Sequence, residues 1–286
     1  MEKVKPNHMN IMPLLWNPRD ILRRPLPLLL ISLVVAPFEN ILRLLSVAGP
    51  RQRRMTHSPS TTRWTPTSNG IQPRYTGPDP HDMTQEQADL RESIEKSRTT
   101  GLSGPFGPWL ALPKIASPAQ ELGRLVRYET TLTFRESELV ILLTGAAFRS
   151  ESEFDIHVGE ARRAGLSWDV IDSIPRGKLP SEDATNENDS PTRPEFSVEN
   201  VRKLLIPKLE QDRHADAERE VAIVTFTAEL LEQSTVSDET YNQTRRILGG
   251  QDSVLVEITS IVGYYSYVAY TLNVFKIPTS VKPRED

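Results

Sequence analysis

The sequence predicts an all-α helical bundle preceded by a disordered or loosely packed N-terminal arm, and three observations lead there. Between Met83 and Pro278 the apolar residues recur at helical spacing, and no stretch alternates in the way a half-buried strand requires. Helix start and stop signals recur along the same region. The 23 prolines crowd into residues 1–118 and into the stretch from Pro175 to Pro207, so the core must be built mainly from what lies between and after them.

The elements follow in order. Residues 1–82 form an extension, with an apolar segment at 26–48 and a Pro/Ser/Thr/Gly/Arg-rich linker from Arg51 to Pro80 that has no apolar period and contributes nothing to a core. Thr84 with Gln87 makes a capping box for a polar helix running to Arg98. GPFGPWLALP is a Gly/Pro loop whose Phe106, Trp109 and Leu110 must be buried against something. Ser117 with Gln120 makes a second capping box and opens a helix with Leu122, Leu125 and Val126 on one stripe. The helix beginning near Phe134 to Glu136 contains ELVILLTGAAF, apolar on nearly every face, as a helix at the centre of a bundle is. SESEFDIHVGEARRAG follows and stops at Gly165, and Ser167 caps the short SWDVIDSI helix. The polar, proline-punctuated stretch 175–196 is an exposed loop that interrupts the helices. After it come KLLIPKL, an amphipathic helix from about Ala215 to Glu232, a helix in SDETYNQTRRIL ending at Gly249 and Gly250, and a long apolar helix, VLVEITSIVGYYSYVAYTLNVF. Residues 279–286 are a tail.

A net charge of -4 leaves no basic excess to draw the chain onto phosphates, so nucleic acid is not an expected partner. The absence of cysteine removes disulfides, thiolate nucleophiles and thiol peroxidase chemistry. The five histidines, at 8, 57, 81, 157 and 214, form no spaced pair, so neither a metal nor any other cofactor is expected. Leu26 to Ala36 follows several basic residues, the order found in signal and anchor segments, yet its apolar run is shorter than the ~20 residues a bilayer needs. A cytoplasmic protein is therefore the expectation. Organelle targeting, or membrane contact through residues 20–48, is the alternative.

Chemistry concentrates in one place. Residues four apart share a helix face, so Glu153 and His157 lie one turn from each other, with Ser150 a further turn back. Glu138 enters the apolar ELVILL run, where burial disfavours its charge. If the two helices form an antiparallel hairpin, Glu138 meets the face bearing His157, and a carboxylate–imidazole pair stands at the wall of an apolar pocket, as proton transfer near neutral pH requires. Each assignment has a plainer counterpart: His157 as a helix-end hydrogen-bonding group or metal ligand, Glu138 as an ion-pair partner of Arg135 or Arg149, Glu153–His157 as a solvated pair. Tyr264, Tyr265 and Asn273 are candidates for the pocket lining, with core packing as their alternative, and Trp109 and Phe106 for a lid, with loop anchoring as theirs.

RESELVILLTGAAFRSESEFDIHVGEARRAGLSWDVIDSI resembles the signature of the carboxymuconolactone decarboxylase and AhpD-like superfamily, in which a glutamate-bearing helix precedes a helix ending in histidine and an A-x-x-A-G-L-S turn. GPFGPWLALP, SPAQELGRLVRYET and IVGYYSYVAYTLNVFKIP are similar to the same family's decarboxylase-like branch of fungal and bacterial type, and the likeness runs from about Met83 to Pro278. It implies that Glu138 and His157 are the family's glutamate and histidine, and that the cysteine pair of the peroxidase branch falls on Ser150 and Glu153. The implied activity is thus a cofactor-independent decarboxylase-like lyase or isomerase, not a peroxidase. Its catalytic groups are His157, Glu138 and Glu153; its substrate-binding groups are Ser150, Trp109, Tyr264, Tyr265 and Asn273. Its substrate is a small carboxylated lactone, enol or polyketide-like molecule, as in secondary metabolism. The resemblance also implies a homo-oligomer, a trimer or hexamer. The rival expectation is a non-catalytic helical oligomer that kept the fold and serves as a binding or scaffold protein.

Overall fold

A computed structural model describes residues 72–97, 101–177, 194–213 and 216–279, all within one compact unit, Arg63–Asp286. The apolar segment 26–48 and residues 280–286 of the C-terminal tail lie outside the described residues, as does most of the 175–196 loop. Eleven α-helices are present among the described residues and no strand, so the fold is all-α. None of these helices is long and apolar enough to cross a membrane.

The helix α1 (Gln85–Ser97) starts at the expected capping box: Gln87 N–H donates to Thr84 Oγ1 at 3.3 Å, and Thr84 N–H donates to Gln87 Oε1 at 3.0 Å. The expected Gly/Pro loop contains one helical turn, α2 (Phe106–Trp109), with every residue buried. α3 (Pro113–Tyr128) corrects the second capping box, since it begins a turn before Ser117 and carries Pro118 in its interior. Pro113 at the first helical turn, where no N–H partner is needed, sets the start instead.

α4 (Phe134–Ala147) opens with a full capping box between Thr133 and Glu136. Its side chains feed both hydrophobic cores. Val140 and Ile141 join the one built with α3 and the last helix, while Leu139, Leu142, Leu143 and Ala146 join the one built with α5, α6 and α9. A helix buried on all sides has no polar face to show, which is why its sequence lacks an amphipathic stripe. α4 turns through Phe148 and Arg149, the latter at a left-handed φ of +49°, directly into α5 (Glu151–Arg163), and the two pack as an antiparallel hairpin. Gly165 (φ +92°) then ends α5, and Ser167 caps α6 (Trp168–Asp172) by accepting from Val170 N–H.

The 175–196 loop closes on itself at its base, where Gly177 N–H donates to Pro194 O at 2.9 Å. Beyond it, α7 (Val198–Asn200), a π-helical segment (Val201–Leu205) and α8 (Ile206–Gln211) run on without a break. α9 (Ala217–Gln233) and α10 (Asp238–Ile247) follow, then α11 (Asp252–Phe275), the longest helix, which packs against α3, α4, α5 and α9. The α3–α11 contact requires Gly123: a Cβ there would lie 2.1 Å from the Tyr264 hydroxyl oxygen.

The described end of the linker, residues 72–80, makes contacts with this fold without contributing a residue to either hydrophobic core. Arg74 N–H donates to Phe275 O at 2.8 Å, its Nη1 donates to Val274 O, and the Tyr75 ring packs on Phe275. Thr76 and Gly77 press against Gly107 so closely that a Cβ on either glycine would meet backbone. The contacts of Arg74 cross some 200 residues of sequence, and no local pattern announces them.

Candidate functional site

The α4–α5 hairpin brings Glu138 onto His157. The Glu138 carboxylate is wholly inaccessible and its Oε2 lies 2.8 Å from His157 Nδ1. From the next turn of α5, Glu153 Oε1 lies 3.2 Å from the other ring nitrogen, Nε2. The imidazole therefore lies between two carboxylates, hydrogen-bonded to Glu138 at Nδ1 and within ion-pair distance of Glu153 at Nε2, where Glu153 Oε1 completes no hydrogen bond. Tyr265 of α11 sets its ring edge against the imidazole at 5.1 Å between centroids.

A group absent from the sequence-based candidates completes the cluster. Arg127, in the last turn of α3, places Nη1 3.3 Å from Glu138 Oε1, 3.3 Å from His157 Nδ1 and 3.2 Å from the Tyr265 hydroxyl, to which it donates. Its Nη2 lies 3.6 Å from Glu160 Oε2. Within an amphipathic helix Arg127 reads as one more solvated charge. Only the α3–α11 packing shows that it points inward.

The electrostatics of this cluster follow from its composition. Burial works against charging the His157 ring, but the hydrogen bonds and charges of Glu138 and then Glu153 outweigh it, and its pKa is pushed up from 6.5 to about 9. His157 is thus an imidazolium at neutral pH, and both ring nitrogens are donors. Arg127 and His157 are then like charges bridged by the Glu138 carboxylate. Burial, reinforced by Glu153 and Glu138, raises Tyr265 far above its ordinary value with Arg127 opposing, so it remains a neutral phenol. Glu138 and Glu153 set two acidic side chains against the basic Arg127 and His157, the pairing under which buried ionisable groups are tolerated.

The plainer assignments for Glu138 do not apply: Arg135 pairs with Glu220 and Asp212, and Arg149 with Glu195. Nor is Glu153–His157 a solvated pair, since both side chains are almost fully buried. The two carboxylates flank opposite sides of the ring and do not converge on one point, and among the described residues no group of three or more His, Asp or Glu is arranged to hold a metal ion.

The remaining candidates separate. Ser150 caps α5 without making a side-chain cap bond. Its buried hydroxyl has no hydrogen-bond partner and lines a narrow crevice of about 10 Å³ with Gly145, Phe154, Arg176 and Gly177. Trp109 packs in the core, its Nε1–H donating to Thr271 Oγ1 at 3.0 Å and its ring stacked on Tyr267 at 4.8 Å. Tyr264 lies between Trp109 and Tyr265, edge-on to both, so that an aromatic row runs from the loop to the imidazole. Asn273 is exposed, and its Nδ2 donates to Phe148 O at the end of α4. Phe106 is a buried loop anchor.

His157 is closed in by its neighbours. Glu138, Glu153 and the Tyr265 ring surround the imidazole and leave the residue 6% exposed. A cleft of about 270 Å³ lies between α8, α9 and α10, lined by Glu210, Val221, Thr225, Thr244 and Ile247 among others, and holds none of the expected residues.

No protein-family model matches this chain, and no curated protein does. Solved structures are similar in fold. A protein of unknown function from Agrobacterium tumefaciens, described as a putative antioxidant defence protein AhpD, is 16% identical with a TM-score of 0.43, over 63% of this chain and 100% of its own. An uncharacterized peroxidase-related protein from Ralstonia eutropha, described as an alkylhydroperoxidase AhpD core, is 13% identical with a TM-score of 0.49, over 73% of this chain and 92% of its own. A third, an uncharacterized peroxidase-related protein from Silicibacter, is 9% identical with a TM-score of 0.47, over 73% and 93%.

Proposed function

We propose that this chain is a proton-transfer enzyme of the lyase or isomerase class, with His157 as a general acid that needs no added cofactor. One observation carries the reading: an imidazole with a carboxylate at each nitrogen, charged at neutral pH, buried beside a neutral tyrosine and a half-buried arginine. A group with a pKa of about 9 is a donor at pH 7, so the sequence-based picture of an acid–base group poised near neutrality becomes that of an acid kept loaded.

On a carboxylated lactone or enol the steps balance as follows. The carboxylate leaves as carbon dioxide, the C–C bonding pair passes into the conjugated carbonyl, and the His157 N–H proton is delivered to the carbanion carbon. Glu138 and Glu153 hold the imidazolium before transfer, and the neutral imidazole is recharged from water. Without carbon dioxide loss, the same donor serves a lactone isomerisation. Assembly as a homo-oligomer belongs to the same proposal. The outward stripe of α11, with Val256, Gly263, Tyr267, Tyr270 and Val274 exposed, carries no charged residue and is suited to a second copy.

With a turned-over substrate in hand, His157→Ala lowers kcat at least ~100-fold, the contribution expected of general acid catalysis, and the wild-type rate falls as pH rises through about 9. Unchanged turnover in the variant removes the mechanism. One observation favours a structural role for His157: its ring carries a carboxylate near each nitrogen, which suits an ionic staple between α4 and α5 as well as a proton donor. Full turnover with lost stability in His157→Ala would assign it the staple.

A further inference from the structure

Arg127 uses only one of its nitrogens to serve the buried cluster. Nη1 takes Glu138, Tyr265 and the approach to His157, while Nη2 keeps a loose 3.6 Å ion pair with Glu160, and Nε makes no hydrogen bond to a described residue. The guanidinium is therefore half committed. Its side chain keeps 12% of its surface in water. A planar fork whose Nε is unbonded and whose Nη2 is only loosely paired matches a carboxylate, which such an edge binds through two parallel N–H···O bonds.

The surroundings say what that carboxylate is attached to. The rings of Tyr128 and Phe134 lie 5.6 Å and 5.8 Å from the Arg127 Cζ, and they are 61% and 41% exposed. Two large exposed rings within 6 Å of a cation place apolar surface beside a charged centre. They come from the last residue of α3 and the first of α4, so the short 129–133 connection holds both near the guanidinium. Nη1 stands 3.3 Å from His157 Nδ1, so a carboxylate on the outer edge is one guanidinium width from the loaded imidazolium.

Charge permits this. The groups facing the position are Arg127, His157 and Arg163 on the positive side and Glu138, Glu153 and Glu160 on the negative side. The set is balanced, and Glu160 is shared between Arg127 and Arg163, so it can turn wholly to Arg163 when another carboxylate takes its place.

We propose that Arg127, Tyr128 and Phe134 form a binding site for the carboxylate of a planar, conjugated small molecule, with Arg127 as the residue that selects the charged group and the two rings as those that select the flat body. The site deepens the proton-transfer reading by naming how its substrate is held, and rests on that reading for its purpose but not for its ligand.

Benzoate is the probe, titrated into the full chain and followed by the aromatic and guanidinium NMR signals of Tyr128, Phe134 and Arg127. Saturable shifts at all three are expected, with benzamide, the uncharged isostere, binding at least tenfold more weakly. Arg127→Lys keeps the positive charge that Glu138 needs but loses the fork, and should weaken benzoate at least tenfold. Tyr128→Ala and Phe134→Ala remove exposed rings outside the core, so they fold, and each should weaken binding severalfold. Glu160→Gln removes the competing carboxylate and should tighten it. Equal binding of benzamide and benzoate, unaltered affinity in both Arg127→Lys and the ring variants, or no saturable shift at these residues overturns the proposal. His157→Gln separates the two readings. Benzoate binding that survives in it, together with normal turnover in His157→Ala, would sink the general acid and leave the carboxylate site standing; lost turnover in His157→Ala with no benzoate binding in the wild type would do the reverse.

Discussion

Raising the pH should weaken the fold through His157 in a way that one variant can isolate. Its pKa is about 9 in the native cluster against 6.5 for an ordinary histidine. Because the folded value is raised, the protonated ring stabilises the native state fully below about pH 6.5, and that contribution fades with rising pH until it is gone above about 9. Each pKa unit corresponds to ~1.4 kcal/mol, so the whole contribution is about 3 kcal/mol, released over this window at up to ~1.4 kcal/mol per pH unit. His157→Gln has no such proton to lose. Urea unfolding of both chains at pH 6 and pH 9.5 should show the wild-type advantage shrinking by about 3 kcal/mol, a midpoint change of roughly 1 M at the slope expected for a chain of this size. The lower end of the range avoids carboxylate titration, and the upper end stays below most lysines and tyrosines. A wild-type advantage that is the same at both pH values would refute the assignment of His157 as an imidazolium bound by two carboxylates.

Two further outcomes test the packing around the site. Gly123→Ala places a methyl 2.1 Å from the Tyr264 hydroxyl oxygen, and because that ring is wedged in α11 between Trp109 and Tyr265, the variant should lose ~1–3 kcal/mol and several degrees of Tm while staying helical by circular dichroism. Arg135→Gln strips the cation from buried Glu220 and Asp212 and from the Gly165 carbonyl, and should cost ~3–5 kcal/mol in urea unfolding without moving the His157 titration measured by NMR.

Much of the candidate site is legible before any coordinates. The i, i+4 spacing of Glu153 and His157 places them on one face, and the run from Glu138 through Leu143 marks a helix with nowhere to lie but the interior. A tight turn after Ala147 makes the two antiparallel, and the pair meets. The difficulties begin where partners come from far along the chain. Arg127 looks like a surface charge because it stands among the polar residues Arg124, Tyr128 and Glu129. Its inward direction depends on α11, well over a hundred residues later. Asn273 and Trp109 carry polar side chains in promising company, yet each spends its hydrogen bond on holding elements together, to Phe148 O and Thr271 Oγ1. Capping at Ser117 fails for a related reason. Its side chain offers a start signal, but Pro113 has already set the helix a turn earlier, and the packing of Ala116 and Gly123 on that register holds it there.

By itself the sequence determined the all-helical architecture, the placement of nearly every helix in it, and the encounter of Glu138 with His157, because periodicity, caps and short turns act over a few residues and leave a local imprint. Tertiary structure alone decided that the ring would lie between two carboxylates and remain charged, that Arg127 would join it, and that Tyr128 and Phe134 would stand beside that guanidinium. Desolvation and charge balance depend on what every neighbouring helix brings to one point, and no single stretch of chain carries that sum.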